Sequence, residues 1–137
     1  MNEKSQYGLG VMLQWLGGNQ ETVESIRQCL EQKIAKIQCD DSTLLLEFDN
    51  GKKLTVWDNG QSCCERRYMS CDDELDYFIG SKLVNMEVVD GGRGGTKYDV
   101  HDIQFLNVTT DKGVFQIANH NEHNGYYGGF YIAAQLS

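Results

Sequence analysis

Residues 119–130, NHNEHNGYYGGF, gather His120, Glu122 and His123, the amides of Asn119, Asn121 and Asn124, and the rings of Tyr126, Tyr127 and Phe130. A second polar stretch, DNGQSCCERRYMSCDDEL (58–75), carries Cys63, Cys64, Glu65, Arg66, Arg67 and Cys71. Together they offer the side chains for three chemistries. A thiol nucleophile would take Cys63 or Cys64, with His120 or His123 as base, Glu122 as orienter, and Arg66 or Arg67 lowering the thiol pKa. A zinc centre would draw on Cys63, Cys64, Cys71, His120 and His123, since zinc takes thiolate and imidazole ligands. Its spacing is poor, because there is no CxxC and adjacent cysteines on an extended chain point to opposite sides. A binding surface would use Tyr126, Tyr127 and Phe130 as aromatic anchors, Arg66 and Arg67 as polar ones, and His120, His123 and Asn124 beside them.

Other polar groups read more plainly. Asp72 and Asp73 stand where the cap and first-turn acids of a short helix belong. Neither GGRGG (91–95) nor NGYYGG (124–129) matches a phosphate-loop or dinucleotide fingerprint. Their amides, with Arg93, Arg66 or Arg67, would still suit a small anionic ligand, and the aromatics would suit stacking on a base. Asn124-Gly125 is a turn dipeptide and Gly128-Gly129 permits a bulge. A plain hairpin thus accounts for 124–130 and leaves Asn119–His123 without a structural reason.

The elements that must position these residues follow from periodicity. Val23, Ile26 and Leu30 have helical spacing, which predicts an amphipathic helix over 20–32 with Asn19 as its cap. Short β runs follow at 33–39, 43–48, 53–58, 81–89, 99–109, 113–119 and 128–136. Asp49-Asn50-Gly51 and Asp111-Lys112-Gly113 mark two hairpins. Residues 72–80 predict a short helix ended by Gly80, and DGGRGGTKY (90–98) reads as a flexible surface loop. The expected fold is α+β, a mainly antiparallel sheet of about six or seven strands with one principal and one short helix. The 137 residues form one domain, helix first and then mostly β over 33–136.

Composition narrows the partners. The net charge of −8 argues against direct nucleic-acid binding, which needs a basic face. No apolar run is long enough for a membrane span, and the first residues do not read as a signal peptide. A cytoplasmic location follows as an expectation. The five cysteines are odd in number and two are adjacent, which fits reduced thiols rather than a disulfide framework.

WDNGQSCCERRYMSCDDELDYFIG together with HDIQFLNVTTDKGVFQIANHNEHNGYYGGFYI resembles a family of small phage and bacterial proteins classed as a domain of unknown function. Cys63-Cys64-Glu65 and Asn124-Gly125-Tyr126-Tyr127 are its specific parts. The likeness runs over about 33–134 and leaves out 1–32 and GGRGG. It implies a viral or mobile-element origin and carries no activity, and it supports a meeting of the two polar stretches, each of which follows a strand that ends a hairpin. The function expected is a non-catalytic, phage-associated binding protein, without cofactor, that inhibits or sequesters a host factor, including in anti-defence. The host factor would be a protein or a small anionic, nucleotide-like ligand. The alternative is a small hydrolytic enzyme, zinc- or thiol-dependent, using Cys63, Cys64, Glu65, His120, Glu122 and His123. Edge strands of an open sheet also allow pairing into a homo-oligomer.

Overall fold

The structure, a computed structural model, describes residues 20–60, 65–96, 98–125 and 130–137. Among these residues one helix, α1 (Gln20–Cys29), precedes eight strands: β1 (Ile34–Cys39), β2 (Thr43–Phe48), β3 (Lys53–Asp58), β4 (Arg66–Ser70), β5 (Leu83–Thr96), β6 (Asp99–Thr110), β7 (Gly113–His123) and β8 (Ile132–Leu136). The strands form two four-stranded sheets, ordered β1-β2-β3-β8 and β4-β7-β6-β5, with every pairing antiparallel.

This overturns the expected α+β fold. Among the described residues the fold is a two-sheet β architecture with a single ten-residue helix. Residues 72–80 supply only a 3-10 turn at Leu75–Phe78. Asp73 does not cap it but accepts the Gln116 N–H at 2.8 Å. GGRGG lies within β5 rather than in a loop. Strand β4 and the last four residues of β7 are also strands where polar sequence suggested loops.

Both sheets and the helix feed one core. Val23, Ile26 and Cys29 of α1 join Leu44, Leu46, Leu54 and Val56 of the first sheet and Leu83, Met86, Leu106, Phe115 and Ile117 of the second. Each large side chain fully buried there contributes about 1.5–3 kcal/mol of transfer free energy. Thr22 Oγ1 accepts the Ala134 N–H and so fastens α1 to β8. The predicted turns at Gly51 and Gly113 are present, both with positive φ.

Two bulges explain why hydrophobic periodicity misled. In β1 the register shifts between Ile34 and Lys36, so Ile34 and Ile37, three apart, both face the core. In β5 the shift between Leu83 and Asn85 buries Leu83 and leaves Val84 40% exposed, so a strict alternation that puts Val84 on one face with Met86 and Val88 fails there.

Candidate functional site

The two polar stretches do meet, as neighbouring strands. Arg66 stands opposite Glu122, Arg67 opposite Asn121, and Tyr68 opposite His120. Because strand side chains alternate, residues an odd number apart point to opposite faces. His120 and His123 are therefore separated by the sheet itself and cannot act as one His-x-x-His pair. Among the described residues no cluster of three His, Cys, Asp or Glu side chains is arranged to hold a metal. Cys63, Cys64, Tyr126 and Tyr127 lie outside the described residues.

The outer face of the second sheet carries His120, His101, Tyr68, Ser70, Glu122 and Arg66. Tyr68 stacks on His120 with ring centroids 4.4 Å apart and planes 7° from parallel. Arg66 sits over the other ring partner, 4.9 Å from the Tyr68 centroid. Ser70 Oγ lies 2.8 Å from His120 Nε2, and His120 Nδ1 lies 2.9 Å from His101 Nε2. Burial, with neighbouring His101 adding to it, pushes the His120 pKa below its ordinary value despite Glu122. That favours the neutral ring, which can accept at one nitrogen and donate at the other. A Tyr68 hydroxyl bond lowers the Glu122 carboxyl, and the same bond raises the Tyr68 phenol. Arg66 and Glu122 are only 3.9 Å apart and well exposed, a pair of little energetic weight.

The inner face is a different environment. Its outer half is apolar, with Leu106, Val108, Phe115 and Ile117, but it then turns polar at Asp102, Gln104, Asn119, Asn121 and His123, all buried. Asp102 accepts from Arg93 Nε at 2.6 Å and Nη2 at 3.0 Å, and its Oδ2 lies 2.8 Å from His123 Nε2. His123 Nδ1 accepts the Gly125 N–H, so Nε2 carries the proton and donates to Asp102. Beside this lies a buried ionic group. Arg67 donates to both oxygens of Asp58 at 3.1 and 2.9 Å and to Glu65 Oε2 at 2.8 Å, and Asn121 Nδ2 donates to the same Glu65 oxygen.

Position by position, Arg66, His120 and Glu122 reach the outer face, while Glu65, Arg67 and His123 are buried within polar networks. Asn124 is half-buried and Phe130 is in the core. The thiols of Cys29 and Cys39 are both pushed up to about 11, chiefly by burial, which makes them poor nucleophiles.

Arg93 reaches Asp102 because of the glycines around it. Asp90 pairs with Gln104 and Gly92 with Ile103, so one extra residue, Gly91, enters β5. Without it Arg93 would face outward. With it, Arg93 lands opposite Asp102 on the inner face. Gly92 makes this possible with φ of 96°. Gly92→Ala is expected to cost about 1–2 kcal/mol, because an L side chain resists that backbone region even in open space. Gly94→Ala, which has ordinary φ and only van der Waals contact, is expected to cost under half as much. Urea unfolding of the two variants checks this, and equal losses would contradict it.

Tyr68, Ser70, His101, Asp102 and Gln104 are the site residues that sequence reasoning missed. The signal was there as a period of two in polar residues, Asn119, Asn121 and His123 against His120 and Glu122.

The arrangement defines a class of protein: an antiparallel two-sheet domain whose central hairpin β6–β7 is polar on both faces, one open and one buried. Over residues 27–132 the chain matches, and so belongs to, the family described as Domain of unknown function (DUF7448). No curated protein and no solved structure matches the chain. Among the described residues no helix is long and apolar enough to cross a membrane.

Proposed function

We propose that the protein is a non-catalytic, phage-associated binding protein that occupies a host protein through the outer face of its second sheet. The observation that carries this reading is the stacked Tyr68–His120 pair, flanked by His101 and Arg66 on an open sheet. Aromatic and arginine side chains fixed by their neighbours lose little entropy on binding, and such residues dominate interface energetics. Ile103 and Phe105, half-buried, and Val89, 40% exposed, continue the face with apolar surface. The acidic net charge suits a basic partner.

The test is retention of host proteins on the immobilised chain. Tyr68→Ala is expected to lose at least ten-fold of the wild-type retention, while Val114→Ala, exposed at the far end of β7, keeps it. Equal retention by Tyr68→Ala would sink the proposal. An effect in anti-defence follows the same variant: wild-type expression raises phage plating on a defended host, and Tyr68→Ala does not.

A second reading is favoured by one observation, the Ser70–His120–His101 relay. With His120 protonated on Nδ1, Ser70 donates to Nε2 and His120 donates to His101, the order of nucleophile, base and orienter in acyl transfer. Against it stands the open face, since such chemistry gains most where water is excluded. A fluorophosphonate probe separates the readings. Labelling abolished by Ser70→Ala and His120→Ala supports hydrolysis, and no labelling supports binding alone.

A further inference from the structure

The inner face holds a feature that contact through the outer face does not use. Gln104 and Asn119, opposite one another on β6 and β7, are 2% and 1% exposed. Asn119 donates to the Gln104 carbonyl at 3.2 Å. Yet Gln104 Oε1 and Asn119 Oδ1 have no hydrogen-bond partner among the described residues. Buried acceptors are rarely left so, because each has been stripped of water without compensation. Gln104 also lines a cleft of about 270 Å³, together with Asp90, Gly92, Arg93, Asp102 and Phe130.

We propose that this cleft binds a small, planar, neutral molecule bearing an amide or amino group, such as a nitrogen heterocycle, with its N–H donated to Gln104 Oε1 as the Gln104 side chain turns into the cleft. The lining sets that chemistry. Asp90, Asp102 and Gln104 all present acceptor oxygens, so the ligand must donate. Arg93, the one cation among the described lining residues, is already forked onto Asp102, so a free anion would meet two carboxylates. Phe130, 7% exposed, gives the aromatic wall for a flat ring. The volume falls just below that of drug-sized pockets and suits a single or fused ring. The β5 bulge is what places Arg93 in the lining of the cleft. The expected small anionic ligand is thus replaced, at this site, by a neutral donor.

Nicotinamide and adenine are the probes, with nicotinate as the same ring lacking the donor. Amide spectra of the ¹⁵N-labelled full chain are expected to shift saturably with the first two, at Gln104, Asp102 and Phe130, and not with nicotinate. Gln104→Met keeps the volume and removes the acceptor. It is expected to weaken binding at least ten-fold while the Tm rises by about 3 °C, since an unpaired buried acceptor has been removed. Phe130→Leu, a second variant, is expected to weaken binding by a few-fold. Tyr68→Ala, on the opposite face, should bind both probes as wild type does, so failure here and failure of the outer-face reading are separable. Absence of any shift at millimolar nicotinamide and adenine, equal binding by nicotinate, or unchanged binding by Gln104→Met would each overturn the proposal.

Discussion

Replacing Arg67 by methionine is expected to destabilise the fold by about 3–5 kcal/mol, the range for breaking a buried charge pair by removing one partner. The side chains of Arg67, Asp58 and Glu65 are 6%, 9% and 1% exposed. One guanidinium serves two carboxylates, and its removal leaves both in the interior. Asp58 would keep the N–H groups of Gly60 and Tyr131, and Glu65 that of the Asn121 amide, but both would lose the guanidinium that pairs with them. Arg67→Lys should lose less, about 1–3 kcal/mol, because an ammonium is a point donor and cannot fork between two acids. Adding Glu65→Gln to Arg67→Met should return part of the loss by neutralising one stranded charge. Urea midpoints at neutral pH measure all three. A loss under about 1 kcal/mol for Arg67→Met would mean that the cluster is hydrated rather than dry.

Asp102→Asn is expected to cost about 2–4 kcal/mol and to change the response to acid. The carboxylate accepts three bonds, two from Arg93 and one from His123. Asparagine offers one acceptor and turns an N–H₂ toward groups that are themselves donors, so a buried mismatch replaces a satisfied network. Burial alone pushes the Asp102 carboxyl up, but the bonds from Arg93 and His123 outweigh it and hold the carboxyl below the ordinary range. A carboxylate depressed in the folded state adds stability that is fully present above its unfolded pKa of about 4 and is lost as pH falls through the folded value. The wild type should therefore lose this increment below about pH 4, whereas the asparagine variant has none to lose. The stability gap between them narrows from pH 7 toward pH 3. Parallel curves across that range would show that Asp102 is not held as its bonds indicate.

What could be read from the sequence followed the apolar residues. β2 and β3 lie where their alternation put them, and the turns at Asp49–Gly51 and Asp111–Gly113 close the hairpins they signalled. The polar strands were hidden for a physical reason. A loop and a strand with polar side chains look alike until the partners of those side chains are known. Asn121 Nδ2 donates to Glu65 and His123 Nε2 to Asp102, and those partners lie 56 and 21 residues away in the sequence. GGRGG reads as a flexible turn because glycine favours turns, yet here it makes a bulge inside a strand. The nearness of residues 58–75 to 119–130 was suggested by each following a strand that ends a hairpin, and the likeness to a family supported it. The separation of His120 from His123 followed from strand geometry alone, once those residues were known to be extended.

The alternation along β7 has a consequence for how this protein can change over generations. Its even-numbered side chains from 118 to 122 meet the outside world, and its odd-numbered ones from 119 to 123 hold the interior. The side chains of His101, His120, Glu122 and Tyr68 lie on the face opposite Asp102, His123 and Arg67. A lineage under pressure to follow a changing partner can redraw that exterior one residue at a time while the stabilising network behind it stays intact. An insertion or deletion of a single residue in the same strand has no such freedom, since it would exchange the two sets at once.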